Sequence, residues 1–365
     1  MKFKDFFPSF ENLLASAPVE KLDDGARYVF FSDLHAGDGG PKDDLAPNRG
    51  LIQNVLERYY LDRGFTLVLN GDIEDLSKFS YSAIREAWPL LFSTFDAFSA
   101  SGRLRKILGN HDLGLLRRRD YPYELLHSLV LNRGGHRLFV FHGHQSSKLF
   151  SENDYITGFV VRFLAKPLSI RNSSINGDSR RRFDTERLIY RASRKLGLVS
   201  ITGHTHRPLF ESLSKYDSLR WSIEELLREY SFADGRRREH IIDLIDIYRE
   251  ELSRLGKKER NHALSWGLYD PGSLIIPCLF NSGCATGKKG VTALEYEGGS
   301  LSLVQWTGIK GPSAYVEREA IIKDRLEGTP YSRYVLRSES VDNVFARLEL
   351  LGRRRVINGK TRGTV

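Results

Sequence analysis

The chain has 365 residues, of which 41% are hydrophobic and 28% are charged, a balance that is ordinary for a globular protein with a buried core. The composition excludes a disulfide scaffold, because only two cysteines occur, and no apolar run reaches the roughly 18 residues needed to span a membrane. The formal charge of +9 favours an anionic partner such as a phosphate group, a nucleic acid or a lipid headgroup.

Two features bear on the cellular compartment. Cys278 and Cys284 are too few for a disulfide framework, which favours a reducing compartment. Residues 1–24 lack the basic segment, apolar run and small-residue cleavage site of a signal peptide. We therefore expect a cytoplasmic protein, with contact to the inner face of the membrane left as an alternative.

The first predicted segment covers residues 1–24. Its apolar residues recur at helical spacing before Ala17–Pro18, at positions Phe3, Phe6, Phe7, Phe10, Leu13 and Leu14. This pattern favours a short amphipathic helix packed on the rest of the protein. The alternative is an interfacial helix that rests on a bilayer surface, but only two lysines among the first ten residues would support that contact.

Strands and helices then alternate along the chain. Buried strands are predicted at residues 27–32, 65–69, 104–108, 138–141 and 198–202, and helices at 51–63 and 80–100. This alternation predicts an α/β sheet with crossover helices, in which ligands gather at the carboxyl ends of the strands. A polar motif follows each strand at that end.

The remaining segments are read as additions to one domain at residues 25–306. A mostly helical insertion is predicted at about 145–197, and a helical hairpin at 211–262 with arms at 218–232 and 238–255. Further strands are predicted at 273–280, 291–296 and 300–306. Residues 307–365 read as a basic C-terminal extension with partial helices, containing twelve basic and seven acidic residues, including Arg353–Arg355.

The strand-end motifs contain six of the ten histidines, namely His35, His111, His142, His144, His204 and His206. They are interleaved with Asp33, Asp72 and Asn110. Imidazole nitrogens and carboxylate oxygens are ligands of zinc, manganese and iron. Asp72 offers two oxygens and is suited to bridge two cations, and paired cations about 3.5–4 Å apart suit phosphate chemistry.

These motifs, in this order, resemble the calcineurin-like metallophosphoesterase superfamily. The residues that carry the resemblance are Asp33-Leu34-His35, Gly71-Asp72, Gly109-Asn110-His111-Asp112, His142 and Gly203-His204-Thr205-His206. It covers roughly residues 26–210 and 281–306. It implies a four-layer α/β/β/α sandwich with helical insertions, and a phosphoesterase that depends on two divalent metal ions.

The resemblance also implies a role for each motif residue. One metal would be held by Asp33, His35, Asp72 and His206, and the second by Asp72, Asn110, His142 and His204. His111 would be an uncoordinated imidazole that contacts the phosphate and assists the leaving oxygen, and Asp112 would orient it. The expected reaction is attack on phosphorus by a hydroxide that bridges the two metals. Manganese is the preferred ion, with iron and zinc as alternatives.

The substrate is less defined by the sequence. The chain resembles the bacterial UDP-diacylglucosamine pyrophosphohydrolase branch in Ser32–His35, in the acidic continuation Gly71-Asp72-X-X-Asp75, in Gly203–Pro208 and in a helical insertion. The Phe159–Leu164 run of that insertion would cover acyl chains, or it is an ordinary core-facing helix. The chain departs from that branch at His142-Gly143-His144 and in its 211–262 hairpin. We expect a phosphodiester, pyrophosphate or phosphomonoester of a nucleotide- or lipid-linked molecule, with His144, Arg117 and Arg207 as candidate substrate contacts.

Two other functions stay open at this point. A metal-dependent nuclease would use the runs Arg117–Arg119 and Arg180–Arg182 to neutralise a nucleic-acid backbone. A non-catalytic scaffold is disfavoured because every ligand position and His111 are present. The sequence does not determine whether the protein is a homo-oligomer.

Overall fold

The computed structural model describes residues 2–146, 179–213, 215–254, 275–287 and 290–352. The Phe159–Leu164 run, the central part of the predicted 145–197 insertion, residues 255–262 of the predicted hairpin and Arg353–Arg355 lie outside the described residues. The side chains of Arg180–Arg182 are likewise outside this description. None of the described helices is both long and apolar enough to cross a membrane.

The described residues contain thirteen β-strands, which are, in chain order, β1 (Val19–Lys21), β2 (Tyr28–Phe31), β3 (Thr66–Asn70), β4 (Leu104–Ile107), β5 (Leu125–Leu126), β6 (Ser128–Arg133), β7 (His136–Phe141), β8 (Val199–Thr202), β9 (Leu279–Asn281), β10 (Val291–Glu297), β11 (Ser300–Thr307), β12 (Ile322–Arg325) and β13 (Ser332–Ser340). The α-helices described are α1 (Phe3–Ala15), α2 (Arg49–Val55), α3 (Tyr81–Ala87), α4 (Pro89–Ala100), α5 (Ser179–Leu196), α6 (Lys215–Tyr230), α7 (Gly235–Arg254), α8 (Ala314–Glu319) and α9 (Val341–Gly352). Helix α2 continues as a π-helical segment at Leu56–Leu61.

The strands form two sheets. The larger sheet has the order β12-β13-β11-β10-β2-β3-β4-β5, and the smaller sheet has the order β1-β6-β7-β8-β9. Strands β2 to β5 are mutually parallel, as are β7 to β9. Their carboxyl ends therefore lie along one edge of each sheet, which is where the polar motifs begin.

Alternating residues of β2 divide the interior into two cores. Val29 and Phe31 pack with the helices α2 and α4, whereas Tyr28 and Phe30 belong to the core that includes the smaller sheet. On the far side of the smaller sheet, the Phe10 ring of α1 lies 5.3 Å from the Phe139 ring of β7. The layers are thus helices, larger sheet, smaller sheet and helices, which confirms the predicted four-layer α/β/β/α sandwich.

Helix α1 confirms the amphipathic helix expected before Ala17–Pro18. Its apolar face is buried against the protein, since Phe6, Phe10 and Leu13 are each 1% exposed. The packing interpretation of this segment is therefore supported, and in this structure the apolar face is covered by the smaller sheet and α5 rather than open to a bilayer.

The helix predicted over residues 80–100 is two helices in the structure. Helix α3 ends at Ala87 and α4 begins at Pro89. Proline has no N–H to donate and disfavours the helical conformation of the residue before it, so Trp88 leaves the helical conformation, with φ −123° and ψ 46°.

The structure contains strands that the sequence analysis missed. Strand β6 forms a hairpin with β7 across Gly134–Gly135, and β1 pairs in parallel with β6. After residue 307, where partial helices were expected, β13 pairs with β11 and extends the larger sheet. Strand β12 is an exposed edge strand, so its sequence has no alternating apolar pattern by which it could be predicted.

The hairpin between residues 211 and 262 is confirmed in its described part. Helices α6 and α7 correspond to its two predicted arms. Their apolar residues Leu219, Leu226 and Ile241 are buried in the same core as the smaller sheet. Tyr248 contacts the ring of Tyr315 on α8. The hairpin therefore packs on the body of the protein.

Candidate metal centre

The predicted site residues lie in loops that follow β2, β3 and β4 of the larger sheet and β7 and β8 of the smaller sheet. Hydrogen bonds join these loops within each sheet and between the two sheets. The backbone N–H of His204 donates to Asp33 Oδ2 at 2.9 Å, and that of His111 donates to Asp72 Oδ1 at 2.8 Å. The N–H of Gly203 donates to the carbonyl oxygen of His142 at 2.9 Å. The sandwich thus brings motifs that are far apart in sequence to one place.

The backbone at this place is strained. Seven non-glycine residues in the described part of the chain have positive φ, and five of them are predicted metal ligands: Asp33, His35, Asp72, His204 and His206, with φ between 50° and 67°. A left-handed conformation at such residues costs on the order of 1–3 kcal/mol each and persists only where the surroundings enforce it. The concentration of backbone strain at five predicted ligands indicates a functional site.

Two motif glycines are required by close packing rather than by φ. A Cβ atom on Gly109 would lie 2.2 Å from Asp72 Oδ1, and one on Gly203 would lie 2.4 Å from Ser32 Oγ. Both distances are below any van der Waals contact. The glycines therefore allow the loop backbones to approach Asp72 and Ser32 closely.

A first cluster of donor atoms is formed by Asp33, His35 and His206. The two Nε2 atoms of His35 and His206 are 3.1 Å apart, and His206 Nε2 is 3.1 Å from Asp33 Oδ1. Asp72 Oδ2 lies 3.9 Å from His35 Nε2. Ligands that share an ion at about 2.1 Å are separated by roughly 3.0–3.4 Å at angles of 90–110°. The two 3.1 Å distances fit a shared metal, whereas Asp72 Oδ2 lies farther from His35 Nε2 than this range.

A second cluster is formed by Asp72, His142 and His204, whose ligand atoms all lie within 4.8 Å of one another. His142 Nε2 is 3.2 Å from Asp72 Oδ2, without the geometry of a hydrogen bond. Asn110 Oδ1 and His204 Nε2 are also buried and make no hydrogen bond to the described part of the chain. Burying a polar atom without a hydrogen-bond partner costs free energy unless a bound ligand contacts that atom. The donor set of this cluster therefore also fits a metal ion.

The tautomer of His142 is fixed by its surroundings. Its Nδ1 atom lies 2.8 Å from the carbonyl oxygen of Asn70. A carbonyl only accepts, so Nδ1 carries the proton and Nε2 is the atom available to a metal.

The charges of the two clusters are strongly coupled. Burial opposes ionisation of Asp33, but His206 and His142 lower the pKa of this carboxyl to about 2. Burial likewise opposes charge on His142 and His206, yet Asp72 raises the pKa of His142 to about 9 and Asp33 raises that of His206 to about 10. Burial lowers the pKa of His204 to about 3. The carboxylates therefore stay ionised, and a divalent cation would balance their negative charge.

His111 stands beside both clusters, with its ring 4.7 Å from the His35 ring in an edge-on arrangement. Its Nδ1 atom lies 2.9 Å from Asp75 Oδ1 and 3.0 Å from Ser77 Oγ. Although burial opposes the charge, the hydrogen bond to Asp75 raises the pKa of His111. Asp75, and not Asp112, is therefore the residue that orients His111. In the sequence, Asp75 belongs to the acidic continuation Gly71-Asp72-X-X-Asp75, which supports the branch resemblance but predicts no contact with His111.

Asp112 has a different place from the one predicted. Its carboxylate accepts from the buried ammonium of Lys106 at 2.7 Å, from Gly109 N at 2.5 Å and from Ile73 N at 3.1 Å. Lys106 also donates to Glu74 Oε2 at 2.7 Å. Burial opposes the charge of Lys106, but Asp112 and Glu74 raise its pKa. This group of charges joins the loop after β3 to the loop after β4, beneath the metal clusters.

Replacing Lys106 with methionine is expected to destabilise the fold by about 3–5 kcal/mol, because two buried carboxylates would lose their shared partner. The neighbouring variant Arg105→Met is the matched control, since Arg105 pairs with Glu20 at the partly exposed edge of the same strand and such pairs contribute about 1 kcal/mol or less. Urea denaturation measures both. Equal midpoints for the two variants would contradict the structural role of the buried lysine.

The three candidate substrate contacts differ in position. His144 is buried, and its ring lies 5.4 Å from that of His142 and 6.3 Å from that of His204; burial holds its pKa well below the usual value. Arg117 is exposed at the end of the short helical turn that follows Asp112. Arg207 is ion-paired with Glu186 of α5, so its charge is offset within the protein.

Comparisons with known proteins add little beyond this geometry. No family model and no curated protein matches the sequence. Among solved structures, Yfce, a phosphoesterase from E. coli, shares 13% identity at a TM-score of 0.33, covering 86% of this chain and 99% of the other. A predicted phosphoesterase from Streptococcus pneumoniae shares 14% identity at a TM-score of 0.27, covering 77% and 89%. At such values these neighbours carry no argument about the reaction.

Proposed function

We propose that the chain is a phosphoesterase that depends on two divalent metal ions. The observation that carries this proposal is the pair of adjoining Asp/His clusters: Asp72 belongs to one and lies 3.9 Å from His35 Nε2 of the other, and an imidazole hydrogen-bonded to Asp75 stands at their side. In this proposal one ion is held by Asp33, His35, Asp72 and His206. The other is held by Asp72, Asn110, His142 and His204.

Two bound ions would supply activation of water and neutralisation of the charge that develops on phosphorus. The chain's own residues would then bind the phosphate and protonate the departing oxygen. His111 is tethered through Nδ1 by Asp75, which leaves Nε2, 4.0 Å from Asp72 Oδ2, directed toward the clusters. A protonated Nε2 at that position can donate a hydrogen bond to a phosphate oxygen and transfer its proton to the departing oxygen.

The donor set bears on the metal. Imidazole, carboxylate and amide oxygen together suit manganese, iron and zinc, and we propose manganese as the ion that supports activity. For the substrate we propose a phosphodiester or pyrophosphate of a nucleotide- or lipid-linked molecule, or a phosphomonoester. The net charge of +9 is consistent with an anion of this kind.

A hydrolysis panel tests this proposal. Purified protein supplied with Mn²⁺, Fe²⁺ or Zn²⁺ would be given a phosphomonoester, a phosphodiester, a nucleoside-diphosphate-linked lipid, and single- and double-stranded DNA. We expect metal-dependent release of product from one of the first three, abolished by a chelator. Cleavage of DNA alone would replace the substrate class with nucleic acid. Metal-independent turnover, or none on any substrate with metal bound, would contradict the proposed reaction.

A further inference from the structure

We infer that Glu186, on helix α5, is a positioning residue for the metal centre, because it holds the loop that carries His204 and His206 in its strained conformation. This inference rests on the proposed function. Glu186 is 1% exposed and lies 19 and 21 positions before Thr205 and Arg207, the residues it contacts. Nothing in the sequence motifs indicates it.

Glu186 contacts the loop at two points. The Thr205 hydroxyl donates to Glu186 Oε1 at 2.8 Å, and Arg207 Nε donates to the same atom at 3.3 Å. Arg207 also forms an ion pair with Glu186 Oε2. Thr205 lies between the two predicted ligands and Arg207 follows the second of them. One buried carboxylate therefore ties down the residues that alternate with the histidines.

The loop is held from the opposite side by β9. Asn281 Nδ2 donates to the carbonyl oxygen of Gly203 at 2.7 Å and to Thr205 Oγ1 at 3.1 Å. His204 and His206 both have positive φ, at 67° and 55°. Such a conformation persists only where several contacts impose it. Glu186 and Asn281 supply contacts of this kind from two separate elements.

Helix α5 also touches the second histidine loop of the smaller sheet. The hydroxyl of Thr185, the residue before Glu186, lies 3.1 Å from Ser146 Oγ, and Ser146 Oγ donates to the carbonyl oxygen of Gly143 at 3.0 Å. Gly143 directly follows His142. Helix α5 is thus a common support for the loops that carry three predicted ligands.

The charge of Glu186 has a further effect. Arg207 is next to His206, and its side chain is only 12% exposed. An uncompensated guanidinium there would repel a cation at the first cluster, since Coulomb energies grow where water is excluded. The Glu186 carboxylate offsets this charge. Arg207 is therefore assigned to the support of the loop and not to substrate binding.

The test is a metal titration of Glu186→Gln against a fluorescent chelator, with Mn²⁺ as the probe. Replacements in the layer behind metal ligands typically weaken metal affinity by about 10- to 100-fold, and we expect a loss of this size. Asp184→Asn is the matched control, because Asp184 pairs with Arg187 on the same helix with about half of its side chain exposed. The control is expected to bind Mn²⁺ as the wild type does.

Two further measurements separate positioning from stability. The Tm of each variant is recorded in the presence of a chelator, so that metal binding does not contribute to it and a change in Tm reports the stability of the fold alone. Arg207→Met in the Glu186→Gln background removes the charge that Glu186 offsets, so it should restore part of the lost affinity. If Glu186→Gln does not fold, the single variant Arg207→Met takes its place, and it should weaken Mn²⁺ binding less than about 10-fold because the loop then keeps its contact through Thr205.

The outcomes are distinct for the two proposals. Wild-type affinity in Glu186→Gln, or a loss fully matched by Asp184→Asn, would overturn the inference and leave the proposed function intact. Unchanged affinity on adding Arg207→Met to Glu186→Gln would overturn the role of the guanidinium. A wild-type protein that binds no metal would overturn the proposed function itself, together with the inference that rests on it.

Discussion

Replacing His111 with alanine is expected to lower kcat by about 10²- to 10⁴-fold while both metal ions stay bound, because general acid catalysis contributes this range. The His111 side chain is not a member of either proposed ligand set, and its Nδ1 atom is held by Asp75 at 2.9 Å. The measurement combines steady-state kinetics on the best substrate of the panel with the metal content of the purified variant.

The partner of His111 provides a second arm of this experiment. Asp75→Asn removes the charge that favours a protonated imidazole, so it should lower kcat by less than His111→Ala does. If Asp75 acts on turnover through the His111 ring, the loss in the double variant equals that of His111→Ala alone. His240→Ala, at an exposed position of α7, is the control. Unchanged kcat in His111→Ala would remove His111 from the reaction.

Replacing Asp72 with asparagine is expected to abolish both metal binding and activity. Asp72 is 2% exposed and lies against both clusters, 3.9 Å from His35 Nε2 and 3.2 Å from His142 Nε2. The amide keeps the size of the side chain but removes the negative charge that two cations require. Replacing a residue that only supports a metal ligand already weakens metal affinity by about 10- to 100-fold. We therefore expect a loss above about 100-fold when the shared ligand itself is replaced.

The control for Asp72→Asn is another buried aspartate. Asp43 is 3% exposed, accepts from Trp88 Nε1 at 2.9 Å and organises the loop after β2. Asp43→Asn is expected to reduce stability but to retain metal, as measured by elemental analysis of the dialysed protein. Full metal content in Asp72→Asn would exclude Asp72 as the shared ligand.

The proposed ligands could be found from the sequence because each follows directly on an apolar strand. In parallel strands the carboxyl ends meet, so the order of motifs already predicts a common site. Their positions at the ends of β2, β3, β4, β7 and β8 confirm that reasoning. The left-handed backbone of His204 and His206 was not predictable, because nothing local in Gly-His-Thr-His distinguishes it from an ordinary turn.

Residues that support the site were missed or misassigned for a different reason. The family resemblance implies that Asp112 orients His111, but the two side chains have different partners in the structure. Asp112 faces Lys106, and Asp75 reaches His111 from the loop after β3. Glu186 meets Thr205 only because α5 packs on the smaller sheet. Such contacts depend on tertiary packing and leave no short-range pattern.

The segments outside the predicted domain illustrate the same limit. The strand β13 alternates charged and apolar residues too irregularly to be separated from a basic extension, yet Arg333 is buried and hydrogen-bonded to Glu295 Oε1 at 3.0 Å. From the sequence alone an arginine is predicted to lie at the surface, because the strand that supplies its buried partner is not known. The boundaries at residues 24 and 306 remain predictions.

Anomalous diffraction from crystals grown with Mn²⁺ tests the central proposal most directly. We expect two peaks, one between Asp33, His35 and His206 and the other between Asp72, His142 and His204, with Asp72 next to both. A single peak would reduce the centre to one metal. No peak in either cluster, or a peak between His35, Asp75 and His111, which can also form a three-residue site, would contradict the account.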